Sequence, residues 1–292
     1  MRTAPHLRAH LALCLMVVLW SGAFVGIKAA LDSGIGATEL VVIRFLIAAP
    51  AFAVVAYLRR PLRLMRGGLP RLIVGGALGV AAYQLTLSEG AARTTAGITS
   101  LIVASCPAIT LLLARMVGLE RLTAARLGGI ALAFSGIAVV ALFAPGQGLA
   151  LDDLAGPLWV LVASCSWAAY TIVMKPLLTS GDGLGITAWS TLAGAACTLP
   201  FARASTVDTI RDLSARQVGI LLWLALAITF VGYLAWNEGV RGLDPSLASV
   251  YLYPITPLSL IAAVVLLDEP WSAALGVSCV LVLSGVALAQ RG

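Results

Sequence analysis

Residues 217–236 read QVGILLWLALAITFVGYLAW. The twenty positions carry no charge. As a helix rising about 1.5 Å per residue they match the roughly 30 Å of a bilayer's hydrocarbon core. Polar and apolar residues do not alternate, so a barrel strand is excluded. The stretch predicts a helix that crosses a membrane.

Working outward, ten such apolar stretches run at 11–31, 38–58, 71–89, 97–116, 124–143, 156–175, 184–202, 217–236, 246–267 and 272–289. The first has no convincing cleavage site and is read as a helix rather than a signal peptide. Connections are short; the longest are 59–70, 144–155 and 203–216. The expected fold class is an all-α integral membrane protein with ten transmembrane helices.

Composition agrees. Of 292 residues, 60% are hydrophobic and 11% charged, and the mean hydropathy is +1.00. A soluble domain carries about 25% charge. This chain cannot cover so much apolar surface with 19 basic and 13 acidic residues, so lipid is a large part of its solvent. The net charge of +6 is not read as a nucleic-acid signal, because the basic residues sit mostly in short connections. With the N-terminus cytoplasmic, thirteen basic residues fall on the inner side and six on the outer. That bias places a multi-pass chain in the cell inner (plasma) membrane with both termini cytoplasmic. The first half supplies nearly all of it, ten against three; the second half is even.

Function classes fall away for chemical reasons. The only histidines, His6 and His10, precede the first apolar stretch, and neither HExxH nor GxSxG occurs. An intramembrane enzyme is therefore a remote alternative. Cys14, Cys106, Cys165, Cys197 and Cys279 lie in apolar runs without a CxxC pair, so no metal or redox centre is expected. No GxxxxGK[ST] loop serves ATP, and no cofactor is expected.

The chain repeats itself. Glu89 to Glu120 spans 31 positions, as does Glu238 to Glu269. The Ser135-Gly136 and Ser284-Gly285 pairs extend the match, and Trp20–Lys28 and Trp167–Lys175 are each 8 apart. The offsets are 149 and 147 residues, half the chain. Each half, 11–143 and 156–289, has five helices. Five is odd, so the second half enters from the opposite face: two inverted five-helix repeats, a layout suited to alternating access.

Certain motifs go further. They are Thr99-Ser100-Leu101-Ile102, Pro107, Leu119-Glu120-Arg121-Leu122, Gly128 and Ser135-Gly136-Ile137 in the first half. The second has Tyr233-Leu234-Ala235-Trp236-Asn237, Tyr253-Pro254, Leu267-Asp268-Glu269-Pro270 and Leu283-Ser284-Gly285-Val286. In these the chain resembles the EamA-type family of the drug/metabolite transporter superfamily. The resemblance implies ten helices around a central cavity. The third, fourth, eighth and ninth helices line much of it, the first and sixth contribute, and the fifth and tenth pack behind. It implies export of amino acids, other metabolites or drugs, with import in some members. Asp268-Glu269-Pro270 departs from Leu119-Glu120-Arg121, so a Glu–Arg interaction is not assumed in both halves.

Single residues have two readings each. Glu120 and Glu269 are helix-end anchors or gating ion pairs. Glu89 and Glu238 are solvated helix ends or mouth residues. Arg44, some six residues into the second helix, snorkels to headgroups or faces the outer vestibule and attracts a carboxylate. Trp20 and Trp167 sit near mid-depth, where they pack the bundle or wall a cavity. Tyr83, Tyr170, Tyr233, Tyr251 and Tyr253 bring hydroxyls that need partners in a membrane. Pro107 and Pro254 break helices, as hinges or as static packing features. Gly75, Gly76 and Gly79, and Gly128, Gly129 and Gly136, form stripes for close helix contact.

The substrate-binding candidates are Trp20, Tyr83, Trp167, Tyr233, Tyr251 and Asn237. The gating or coupling candidates are Arg44, Glu89, Glu238, Pro107 and Pro254. The spans hold several Trp and Tyr but scarcely any charge, which disfavours phosphorylated substrates. The expected function is a secondary transporter, an exporter, of a small amphipathic metabolite such as an amino acid. A passive facilitator or a multidrug exporter of the same fold is the alternative. Protons and a counter-substrate stay open as coupling partners, lipid surrounds the chain, and a monomer is expected to suffice.

Overall fold

The structure, a computed structural model, describes residues 3–59, 67–118, 123–143, 151–180, 182–242, 251–252 and 254–291. Among them every regular element is helical. The helices are α1 (Thr3–Asp32), α2 (Ala37–Leu58), α3 (Gly68–Gly76), α4 (Tyr83–Ala91), α5 (Ala96–Val103), α6 (Cys106–Met116) and α7 (Ala124–Phe143). The second half has α8 (Leu151–Ser180), α9 (Gly183–Thr198), α10 (Ala204–Arg211), α11 (Ala215–Leu222), α12 (Gly232–Gly242), α13 (Ile255–Leu267) and α14 (Ala273–Arg291). Seven continuous spans are long and apolar enough to cross a membrane, and Ala124–Val140, Ile255–Leu267 and Ala273–Ala289 are shorter apolar helices. This is a multi-pass helical membrane protein.

The boundaries follow local chemistry. After α1, Gly34 takes φ 95°, a left-handed conformation that spares glycine a Cβ clash, and Ile35 N–H reaches back to Ala30 O at 3.3 Å. The connection expected at 203–216 contains the surface helix α10. Its first turn closes because Arg203 N–H donates to Thr206 Oγ1 at 3.0 Å.

Two membrane helices are wound irregularly. A π-helical segment, Ala77–Ala82, joins α3 to α4, and another, Trp223–Val231, joins α11 to α12. A π turn shifts the hydrogen bonds to i→i+5, which widens the coil and reorients nearby carbonyls. The helix expected at 97–116 is broken between α5 and α6. Pro107 has no N–H for the Val103 carbonyl, and the chain turns at Ala104–Ser105. Ser105 Oγ compensates by donating to Ile102 O at 2.6 Å. In the second half, Pro254 caps the start of α13; residues 243–250 and 253, including Tyr253, lie outside the described residues.

Packing separates a back pair from a central group. Helices α7 and α14 pack tightly along their length. A Cβ on Gly129 would lie 2.4 Å from Ala289 N, and one on Gly285 would lie 2.4 Å from Ala133 N, so the backbones touch. Gly136 is in the same contact, but Gly128 faces open space, so the expected stripe narrows to Gly129 and Gly136. In the centre, α1 packs on α12 and α13, and α8 packs on α4, α5 and α6. Helix α2 lies against α9 and the second π segment.

Candidate functional site: a buried arginine between two aromatic groups

Arg44 is the polar centre of the bundle. Residues Leu40 to Phe45 are all buried, so this part of α2 has no outer face. Arg44 itself is 5% exposed. Its Nε donates to Thr229 Oγ1 at 2.9 Å and its Nη1 to Gln84 Oε1 at 3.3 Å. Thr229 lies in the second π segment and Gln84 is the second residue of α4, so one guanidinium ties three helices together. The Thr229 hydroxyl donates to Leu224 O at 2.8 Å, five residues back, which aims its lone pairs at Arg44. The snorkelling reading is thereby corrected: the guanidinium turns into the protein, where neighbouring helices offer oxygen acceptors that lipid tails lack.

Two aromatic groups flank this centre. Trp20 stacks on Trp236, with ring centroids 6.0 Å apart, and meets Tyr233 edge-on at 6.0 Å. Its indole N–H donates to Ile228 O of the π segment at 3.3 Å. Gly232 makes room, since a Cβ there would lie 2.4 Å from the indole nitrogen. In the other group Trp167 contacts Tyr83 at 4.9 Å and Tyr170 at 5.0 Å. Gly79 of the first π segment lies beneath Tyr170. Tyr83 and Tyr233 are both electrostatic neighbours of the Arg44 guanidinium, so they link the two groups through it.

The structure therefore gathers Trp20, Tyr83, Trp167, Tyr233 and Arg44. Tyr251 is elsewhere: its hydroxyl pairs with His10 Nδ1 at 2.7 Å, ten residues before Trp20 on α1, or about 15 Å along the helix. Glu89 pairs with Arg93 one turn on, and Glu238 is exposed in the second half of α12. The Asn237 side chain and Glu120 lie outside the described residues. One surface pocket lies at Gly34, Asp208 and Gln217, and a second lies between α2 and α9, where its wall includes Phe45, whose ring centroid is 5.8 Å from Arg44 Cζ.

Sequence reading missed Gln84, Thr229, Trp236 and His10 as partners. Gln84 and Thr229 interrupt apolar runs, and a buried Arg44 needs acceptors from other helices; together these were a usable signal. Glu269 has a definite role. Its Oε1 accepts from Ala96 N at 2.6 Å and its Oε2 from Gly97 N at 3.0 Å. It caps the N-terminus of α5, a helix from the other half of the chain, rather than the helix that follows it.

Membrane-length helices closed around a buried cation and aromatic rings define a polytopic membrane protein with a polar centre. The EamA-like transporter family model matches residues 7–142 and again 154–290, and the chain belongs to this family of transporters. A relative from Streptantibioticus cattleyicolor, named a probable terminal-alkyne amino-acid exporter, is 32% identical over 97% of this chain and 94% of its own. An Escherichia coli relative named a probable amino-acid metabolite efflux pump is 27% identical over 93% and 91%. An Archaeoglobus fulgidus transporter is 29% identical over 98% and 99%. A solved crystal structure superposes with a TM-score of 0.64 at 21% identity, covering 97% of this chain and 96% of that one, and shares the fold.

Proposed function

We propose that the protein exports a small amphipathic metabolite, an amino acid or a close analogue, across the plasma membrane by alternating access. The observation that carries this reading is the Trp20–Tyr233–Trp236 and Tyr83–Trp167–Tyr170 groups on either side of buried Arg44. Rings give an apolar side chain a surface to stack on, and uncharged hydroxyls and amides serve a zwitterion whose net charge is near zero. Two relatives carry names that refer to amino-acid export, which supports the same substrate class.

The mechanism rests on two inverted five-helix repeats, 11–143 and 156–289, with both termini cytoplasmic. Several features support it. The family model matches each half. The 149-residue offset carries Ala77–Ala82 onto 226–231, inside the second π segment. It likewise carries the Ser105 turn onto Pro254. The packing of α1 on α12 and α13 has its counterpart in that of α8 on α4, α5 and α6. Exchange of conformations between such halves moves the opening from one face to the other.

The test is counterflow in proteoliposomes with L-phenylalanine, L-methionine, L-propargylglycine and a cationic dye as probes. Saturable amino-acid exchange that stops without internal amino acid or a pH gradient is the expected result. Dye transport without any amino-acid transport would refute the substrate class and favour a multidrug exporter. Non-saturable flux would favour a passive facilitator.

A further inference from the structure

We infer that Arg44 is the seat of the substrate's carboxylate, and that Gln84 and Thr229 hold the guanidinium ready for it. This inference rests on the transporter reading above and narrows it to carboxylate-bearing substrates.

A guanidinium stays protonated under all ordinary conditions. Buried, it calls for a counter-anion, because removing a full charge from water is costly unless it is paired. Arg44 is 95% buried, yet both of its hydrogen-bond partners are neutral. The ion pairs among the described residues are Lys28–Asp32, Arg59–Asp182 and Arg93–Glu89, all at helix ends. On the helices that hold Arg44 and Gln84 the acidic side chains are already engaged: Glu39 accepts from Ser205 Oγ at 2.9 Å, and Glu89 is tied to Arg93. The centre therefore carries a net positive charge with no anion opposite it among the described residues.

The unused donors of the guanidinium mark where an anion would bind. Nε is committed to Thr229 by the shorter bond, whose acceptor is fixed through Leu224 O. Nη1 has only the longer contact to Gln84, and Nη2 makes no hydrogen bond among the described residues. The Nη1–Nη2 edge of the fork is thus weakly engaged, and such an edge takes a carboxylate through two parallel bonds. Gln84 is the ligand to be displaced, since 3.3 Å lies beyond the usual 2.7–3.2 Å range for N–H···O bonds. The flanking ring groups then meet the apolar part of the same molecule. The substrate class that matches is a small molecule with one carboxylate and an apolar side chain. A phosphate ester carries about twice the charge and would need more than one cation.

The test uses the whole chain in detergent and in proteoliposomes, with 3-phenylpropionate, L-phenylalanine and L-phenylalaninamide as probes. The amide keeps the ring and loses the carboxylate. The thermal midpoint of the wild type is expected to rise with the two carboxylates and not with the amide. Gln84→Glu places an internal carboxylate at the Arg44 contact. It is expected to raise the ligand-free midpoint and to cut the transport preference for phenylalanine over its amide at least tenfold. Arg44→Lys keeps the charge without the fork and is expected to weaken carboxylate binding at least tenfold; Arg44→Gln is expected to abolish it. Should Arg44→Gln fail to fold, Gln84→Glu still decides. Equal carboxylate shifts in wild type and Gln84→Glu, or no shift in the wild type, would overturn the inference. Transport of phenylalanine and its amide with equal KM would overturn it while leaving the transporter reading intact. A carboxylate-specific shift without transport of any probe would uphold the site and remove the proposed export of amino acids.

Discussion

Removing the Glu269 carboxylate should loosen one end of the bundle by an amount the structure sets. Glu269 follows Asp268, whose φ of 53° ends α13 in a left-handed turn, with Glu269 N–H bonded to Ala263 O at 3.3 Å. That turn delivers the carboxylate to two free N–H groups of α5, 173 and 172 residues away in the chain. Hydrogen bonds to a charged group contribute about 1.5–3 kcal/mol each. Glu269 is only half-buried, so solvent takes back part of this. A net loss of about 2–3 kcal/mol on Glu269→Ala is the reasonable scale, a shift of roughly 30- to 150-fold in an equilibrium constant. If this end must separate during transport, the cap breaks in the open state, and the whole shift falls on the ratio of open to closed. The assay is alkylation of a cysteine placed at Ser100, one turn inside α5 and 1% exposed, in a background lacking the five native cysteines. When opening and closing are fast, the alkylation rate follows the open population. Glu269→Ala should raise it at least tenfold, and Glu269→Gln, which keeps one acceptor, by less. A rate within twofold of the parent in a folded Glu269→Ala protein would refute the reasoning.

Other outcomes follow from the same geometry. Gly129→Ala should lower the thermal midpoint, because its Cβ would press on the backbone of α14 and overpacking costs about 1–3 kcal/mol; Gly128→Ala, which meets open space, should leave it unchanged or raise it. Trp20→Ala and Trp167→Ala should each cost about 1–3 kcal/mol of substrate binding, read as roughly a 5- to 150-fold loss in transport at matched protein amounts, and unchanged transport in both would remove the aromatic assignment. A cysteine at Arg203 should react with an impermeant maleimide on intact cells and one at Arg115 only after permeabilisation; the reverse pattern would invert the proposed orientation.

Much of the scaffold was legible in the sequence because lipid imposes a simple rule. Backbone groups in hydrocarbon must be satisfied within a helix, so an uncharged run such as 217–236 has one reading. The exceptions to regular winding were only half legible. Pro107 announces its break by lacking an N–H, whereas nothing in Ala77–Ala82 distinguishes a π turn from an α turn by residue type. Those segments lie against bulky partners from the other half of the chain, Tyr170 over Gly79 and Trp20 against Ile228 O. The site shows the same division. Trp20 and Trp167 stood out by depth and spacing, but the direction of Arg44 depends on which helices lie beside α2, a tertiary fact. Tyr251 looked like a lining residue by its position, and only the contact with His10 assigns it to another level of the bundle.

The two halves are alike in backbone and unlike in chemistry, and this difference bears on mechanism. Both have a π segment in their third helix, and Ser105, where the fourth helix of the first half breaks, has Pro254 at the start of α13 as its 149-residue mate. At the 147- and 149-residue offsets, however, Arg44 corresponds to Thr191, Gln84 to Tyr233 and Thr229 to Val80. None of the three counterparts is charged. On the reading of two inverted repeats, the deformable parts are duplicated and the cation is single. Duplication of the deformable parts lets each face open by an equivalent movement. A duplicated cation would work against that arrangement, since two arginines would hold a carboxylate at two depths and compete for it along the path. One arginine, tied across α2, α4 and the second π segment, would on the proposed mechanism give a single station that each face reaches in turn. Its acceptors come from both halves, Gln84 from the first and Thr229 from the second, so relative movement of the halves changes how firmly the guanidinium is held. Anion occupancy and the opening of the bundle then share the same hydrogen bonds, which is a direct physical route for one to bias the other.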